Sequence, residues 1–374
     1  MRKAKNWNQP CPNTDCKLFA QINKGNISSI STYMTQSGKR RIFKCSECDI
    51  SFSETRDTVF HDLRTPEEIV MMALKMILVK VSLSGISFVL NIKEETILMW
   101  LDRASQKASQ INETLLKELL VTEVQLDEMW SFVRRKISEK SSQQKESPQE
   151  AEDGRQWIWV SYAPEFRLIL ATVVGPRTYE SALVLIQMTA VAVVGIPCFF
   201  SDGFSCYLKA LVDCYHRIKT FPKTGRKGRP KNPIKEPHPD LVYGQVVKEK
   251  NQGKLVSITH RIKCGAERFA KLGLNIGTSL LERLNLTIRE SLAPLGRKTL
   301  SFSKERENLR KHMIFFQAFY NFSRPHMSLR ERIPLAEKRF EQKWFPRTPA
   351  MAAGITDSVW TFRELLTWKI IHDP

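Results

Sequence analysis

Three acids, far apart in the chain, stand where charge is normally avoided. Asp127 lies inside Val121-Thr-Glu-Val-Gln-Leu-Asp-Glu-Met-Trp-Ser-Phe-Val133, in which apolar and polar residues alternate as in a strand. A carboxylate buried mid-strand is costly unless it is paired or binds a metal. Asp202 follows the apolar run Ile196-Pro-Cys-Phe-Phe200 and precedes Gly203. An acid at the carboxyl end of a buried strand points into the crevice where α/β proteins hold their ligands. Glu282 belongs to Leu280-Leu-Glu-Arg-Leu-Asn-Leu-Thr-Ile-Arg289. Helical spacing puts Glu282, Asn285 and Arg289 on one face there, and Leu281, Leu284 and Ile288 on another. Two aspartates and a glutamate offer hard oxygen ligands for Mg²⁺ or Mn²⁺, and a two-metal site moves phosphoryl groups without a side-chain nucleophile. Each acid has a plainer reading. Glu128 could be the ligand in place of Asp127, Asp202 could cap the next helix, and Glu282 could pair with Arg289. The three together in one basic chain favour the metal site.

These acids need a scaffold. Strands are expected over 121–133, 157–163, 168–174 and 196–200, with an apolar helix over 178–194, an α/β order. Two segments interrupt it. Residues 138–153 are rich in Ser, Gln and Glu, and residues 223–240 in Pro, Gly and Lys; both are expected to be exposed loops.

Upstream lie two smaller modules. Cys11 and Cys16, then Cys45 and Cys48, form two close pairs, and four thiolates so arranged suit a tetrahedral structural Zn²⁺. The stretch between them, rich in Ile, Thr, Tyr and Phe, reads as a ribbon of short strands. Residues 65–105 then divide into three helices. Thr65 is the expected cap of the first, and Ile69, Ala73, Leu74 and Ile77 its stripe. A short helix over 84–90, a turn at Asn91-Ile92 and a helix over 93–104 follow the helix-turn-helix plan, with Ile97, Trp100 and Leu101 inward. Lys93, Glu94, Glu95, Thr96 and Met99 would then face a DNA major groove. The plainer reading is a helical bundle that reads nothing.

Composition names the partner. The 374 residues carry a formal net charge of +19, with a pI of about 9.6. The excess is clustered: residues 216–264 hold 13 Lys and Arg against 3 acids, and residues 283–348 hold 15 against 6. Clustering of this kind fits a polyanion such as DNA. Gly225-Arg226-Lys227-Gly228-Arg229-Pro230-Lys231 resembles the AT-hook, which lies in a narrow minor groove; Arg226, Lys227 and Arg229 are its candidate contacts. No apolar run reads as a membrane span, and none follows Met1-Arg-Lys as in a secretory signal. A cytoplasmic, nucleoid-associated protein with reduced cysteines is therefore expected. Cys198, Cys206, Cys214 and Cys264 are scattered singly, as small buried hydrophobes are.

Asp127-Glu-Met-Trp130, Ser201-Asp-Gly-Phe204, and Glu282-Arg-Leu-Asn285 leading into Leu295-Gly-Arg-Lys-Thr-Leu-Ser-Phe-Ser303 resemble the transposases of the insertion-sequence-one family, which are DDE transposases. The resemblance covers roughly residues 8–330. It implies an α/β, RNase H-like mixed sheet with flanking helices, preceded by a zinc ribbon-like knuckle and a helix-turn-helix module. Asp127, Asp202 and Glu282 become the metal-binding triad. Arg289 becomes the basic residue that contacts transposon-end DNA, with Asn285, Arg297 and Lys298 beside it. Tyr320-Asn-Phe-Ser-Arg-Pro-His-Met-Ser-Leu329 looks like the close of many DDE domains. The expected organisation is a ribbon over 1–60, a helix-turn-helix over 61–115, a catalytic domain over 116–325 with insertions near 138–153 and 223–262, and a basic tail over 326–374. The implied reaction is cleavage and strand transfer at the ends of a mobile element, by at least a dimer on DNA. The runner-up is a silent, domesticated transposase that regulates by binding DNA. A junction resolvase would not need the N-terminal modules.

Overall fold

The computed structural model describes residues 7–134, 154–221, 231–252, 254–333 and 343–371. The expected loop at 138–153 and the run with Arg226, Lys227 and Arg229 lie outside them.

The cysteine-bearing segment forms a three-stranded antiparallel sheet, β1 (Ile27–Thr35), β2 (Gly38–Cys45) and β3 (Ser51–Ser53). Its own small core holds Ile27, Phe43 and Phe52 beside the cysteines.

Three helices follow: α1 (Glu67–Ile77), α2 (Leu83–Leu90) and α3 (Glu94–Leu115). The cap of α1 is Pro66, with no side-chain cap bond, and Val70 rather than Ile69 completes its buried stripe. Val70, Ala73, Leu74 and Ile77 stand at i, i+3, i+4 and i+7, so Val70 and not Ile69 lies on that face. Ser82 caps α2 by accepting from the Gly85 amide at 3.0 Å, and Asn91, at φ 53°, ends it in the left-handed region that asparagine tolerates. Ile97, Trp100 and Leu101 are buried as expected. But α3 does not stop near residue 104. Ala104, Ala108 and Ile111 continue its buried face against α8 (Arg306–Ala318).

The body is a mixed α/β layer structure. Its six-stranded sheet is built from β4 (Glu123–Val133), β5 (Gly154–Ala163), β6 (Leu168–Gly175), β7 (Cys198–Ser201), β10 (Val242–Asn251) and β11 (Lys254–Cys264). The order is β11-β10-β7-β4-β5-β6, with β4, β7 and β10 parallel and the others antiparallel to their neighbours. This mixed sheet with flanking helices is compatible with an RNase H-like fold. Helices α4 (Tyr179–Ala192) and α5 (Cys206–Cys214) cover one face: Thr189 reaches Ser161, and Tyr207 reaches Glu128. Helix α7 (Ser279–Ser291) lies along β4 on the other face, with α8 beyond it against β6. The Leu281 amide donates to Gln125 Oε1 at 3.0 Å.

The segment read as an insertion through residue 262 contains two of these strands. A short ribbon, β8 (His216–Lys219) with β9 (Ile234–Pro237), and then the β10–β11 hairpin, extend the sheet before α6 (Ala266–Leu272). Strand β10 carries Lys, Glu and Asn in its outer half, so its alternation did not look like a sheet strand. Its inner half, Val242 to Gln245, pairs with β7 and is buried.

The described residues of the expected basic tail, through 333 and from 343 to 371, pack against the body. They contain β12 (Glu331–Arg332), β13 (Trp344–Phe345), α9 (Pro349–Ala352) and α10 (Phe362–Thr367). Trp360 stacks on Phe322 at 4.9 Å, the Val59 amide donates to the Leu366 carbonyl at 3.1 Å, and Arg363 bonds Glu67 at 2.8 Å. Glu67 also pairs with Arg40 at 2.5 Å. One apolar core runs from Val59 through the helices and sheet to Leu366. Among the described residues no helix is long and apolar enough to cross a membrane.

Edge strand β6 is finished by side chains. Asn321, fully buried, donates to the Ile169 carbonyl at 2.8 Å and accepts from its amide at 3.0 Å. Gln317 bonds the Ile169 and Leu170 carbonyls at 3.2 Å. Replacing Asn321 by Leu leaves the buried Ile169 amide unpaired and its carbonyl with Gln317 alone, and is expected to cost about 1–3 kcal/mol. Denaturant midpoints check this; a change within error would show that the edge is satisfied some other way.

Candidate active site

Strands β4 and β7 run side by side and parallel, pairing Leu126 with Ser201. Asp127 and Asp202 are the next residue on each, so the two aspartates meet at the crest of the sheet. The carboxylates of Asp127, Glu128 and Asp202 offer ligand atoms within 4.8 Å of one another.

Their surroundings differ. Glu128 is spent: its Oε1 accepts from Arg177 Nε at 2.9 Å and Nη2 at 2.5 Å, and its Oε2 from Tyr207 Oη at 2.9 Å. Its side chain is 1% exposed. Asp202 Oδ1 accepts from the Phe204 amide, at 3.0 Å, in a tight turn. Helix α5 begins beyond it, with Ser205 at its cap. Asp127 Oδ1 accepts from the Glu128 amide at 2.9 Å, and its Oδ2 from Asn285 Nδ2 at 2.6 Å. Asn285 Oδ1 is buried and finds no partner among the described residues.

The helix face predicted from spacing runs along this crest. Asn285 meets Asp127. Arg289 donates to the Trp130 carbonyl at 3.1 Å and the Leu295 carbonyl at 3.2 Å, so it ties α7 to β4. Glu282, at the start of α7, is outside the three-acid cluster. It accepts from Thr278 Oγ1 at 3.0 Å and pairs with Lys248 of β10, not with Arg289.

Burial pushes the Asp127 carboxyl up to about 7, and the charges of Glu128, Asp202 and Glu282 add to the rise against the pull of the Glu128 amide. Burial likewise raises Glu128, opposed by Arg177 and Tyr207. A group held above its unfolded value of 3.8 contributes stability below about pH 4 that is lost as pH rises through about 7. Metal-free protein is therefore expected to melt lower as pH climbs across that window. Asp127→Asn should flatten the curve, and a bound divalent ion should lift its alkaline end. Melting against pH, with and without chelator, checks this; parallel curves for both proteins would refute it.

The four N-terminal thiols converge as well. Cys11 Sγ lies 3.6 Å from Cys48 Sγ, and Cys16 Sγ 3.9 Å from Cys45 Sγ. A tetrahedron with metal–sulfur bonds of ~2.3 Å has edges of about 3.8 Å. Asn26 Nδ2 donates to Cys45 Sγ at 3.2 Å, and the Leu18 amide to Cys16 Sγ at 3.4 Å, as donors do around a thiolate. Burial raises Cys11 and Cys16, whereas the Ile50 amide brings Cys48 down to about 7.

The remaining candidates lie apart from the acids. Arg297 and Lys298 are exposed beyond the end of α7. Lys93 is exposed and Thr96 half-buried at the start of α3. Arg177, Tyr207 and Lys248 were not foreseen. Arg177 follows Gly-Pro after a strand, a weak signal, and Lys248 is one cation in a basic stretch.

No known protein family and no curated protein matches the chain. Solved structures that bear a partial likeness include two complexes of one transposase. One is the Mos1 transposase paired-end complex with left transposon end, at TM-score 0.16 and 14% identity over 38% of this chain and 56% of that one. The other is the Mos1 strand transfer complex, at TM-score 0.16 and 14% identity over 38% of this chain and 54% of that one. This chain thus spans little more than half the length of the transposase chains it partly resembles.

Proposed function

We propose that the chain is a DDE transposase that binds the ends of a mobile DNA element and carries out metal-dependent strand cleavage and transfer. The observation that carries this reading is the pair Asp127 and Asp202 at the crest of adjacent parallel strands, with Glu282 on the helix that lies along β4. Asp127, Asp202 and Glu282 would hold Mg²⁺ or Mn²⁺. The donor set fits: hard oxygens, with burial first and the neighbouring acid charges second pushing the Asp127 carboxyl up to about 7. Such ions, when held there, would supply Lewis-acid charge for displacement at a phosphodiester. Asn285 orients Asp127, and Arg289 fixes the helix that carries Glu282. Glu128, neutralised by Arg177, stays a structural neighbour. Water is the first nucleophile and frees a 3′-OH; that 3′-OH then attacks target DNA by direct transesterification.

In this reading Cys11, Cys16, Cys45 and Cys48 hold Zn²⁺ and fold the ribbon. Helices α1 to α3 form the helix-turn-helix, with Lys93 and Thr96 toward DNA. Arg297, Lys298 and the run Arg226, Lys227, Arg229 contact phosphates, and cutting two ends together calls for at least a dimer. A second reading, a silent DNA-binding regulator, draws on the Lys248 ion pair that occupies Glu282.

The test is a nicking and strand-transfer assay on a duplex carrying the gene's own flanking DNA, with Mg²⁺ or Mn²⁺. New 3′-OH ends and joined products are expected. Tight binding without either product would overturn catalysis in favour of the regulator.

A further inference from the structure

Strand β7 ends at Ser201, but its neighbour β10 runs on from Val246 to Asn251, paired among the described residues with β11 alone. This overhang passes directly beside the acids: Val247 Cγ2 would stand 4.0 Å from a Cβ placed on Gly203. From the next residue, Lys248 Nζ crosses to α7 and pairs with Glu282 Oε1. The Thr278 hydroxyl holds the same oxygen at 3.0 Å. Three acids thus cluster at the crest with Glu282 beside them, and two of the four have their own cation. Arg177 serves Glu128 and Lys248 serves Glu282.

The two pairs are not alike. Glu128 is sealed, at 1% exposure, whereas the Lys248 and Glu282 side chains are 34% and 46% exposed. An ion pair so open to water is weak, so a competing anion or cation displaces it readily. Lys248 also sits on a basic, exposed ribbon, with Arg261 and Lys263 on the partner strand.

We propose that Lys248 is an exchangeable counter-cation. Without DNA it holds Glu282 away from the metal site. When DNA binds, a backbone phosphate takes the Lys248 ammonium, and Glu282 swings free to complete metal coordination. The inference rests on the metal-dependent transposase reading and adds to it a reason for the enzyme to assemble its centre only on DNA. Linkage then requires DNA and metal to tighten each other's binding by the same factor.

The test is Mn²⁺ titration of the full chain, by the paramagnetic resonance of free ion, with Lys248→Met, Glu282→Gln and the double variant. Removing any nearby lysine strengthens cation binding, so the interaction between the two substitutions is what decides. Without DNA, Glu282→Gln is expected to change wild-type affinity less than about twofold. In the Lys248→Met background it is expected to weaken Mn²⁺ by about five- to tenfold. A short duplex of arbitrary sequence should make the wild type equally sensitive. Equal effects of Glu282→Gln in both backgrounds, or no effect in either, would overturn the exchange. An Asp202→Asn control separates the failures: if it too leaves Mn²⁺ affinity unchanged, the metal site itself is absent and the functional reading goes with it.

Discussion

Asp202→Ala is expected to lower strand cleavage and joining by about three orders of magnitude or more while leaving the fold in place. Losing a carboxylate that holds the metal removes several kcal/mol of charge stabilisation at the reacting phosphate, and each ~1.4 kcal/mol is tenfold in rate. Stability should move little. The variant loses one hydrogen bond, from the Phe204 amide to Asp202 Oδ1 at 3.0 Å, a cost of about 0.5–1.5 kcal/mol. Against this, Asp202 is one of the charges that push the Asp127 carboxyl up, so its removal relieves repulsion. Product formation and thermal melting, measured on the same preparation, check both halves. A variant that still cuts would remove Asp202 from the centre. A variant that melts far lower would make it a structural turn residue.

The second large effect concerns the thiol cluster. The ribbon core holds Ile27, Phe43 and Phe52 with the cysteines, too little apolar area to order so short a segment alone. Structural Zn²⁺ contributes about 10–16 kcal/mol in isolated finger peptides, more than such a core could replace. Chelation, or Cys45→Ser, is therefore expected to unfold residues up to about Ser53 and open them to protease. The body from Val59 to Leu366, held by its own core, should remain resistant. Arg40 would lose its fixed place on β2, and Glu67 would keep only Arg363. Limited proteolysis and a colorimetric zinc release assay test this together. Protein that holds no zinc and resists protease after Cys45→Ser would refute it.

Much of the centre was legible because burial leaves a period in the sequence. Strands β4 to β7 and helix α4 fall where apolar alternation and a long apolar run place them. Asp202 was visible as an acid at the end of a wholly apolar strand. The face of Glu282, Asn285 and Arg289 was visible as a polar stripe on an apolar helix. The extension of α3 was less so, since Ser105 and Lys107 are buried at positions that look solvent-facing.

What the sequence by itself determined is which residues could meet: a strand acid, a strand-end acid and a polar helix face, each set by local periodicity. Only the tertiary structure decided which of them do. It put Asp127 and Asp202 side by side because β4 and β7 pair in parallel with Leu126 opposite Ser201. It spent Glu128 on Arg177 and Tyr207, and Arg289 on two main-chain carbonyls. It gave Glu282 to Lys248, from a hairpin whose charged outer half hides its place in the sheet. Pairing between distant strands and the choice of a counter-ion depend on packing across the whole core, and neither leaves a repeat in the chain to be read.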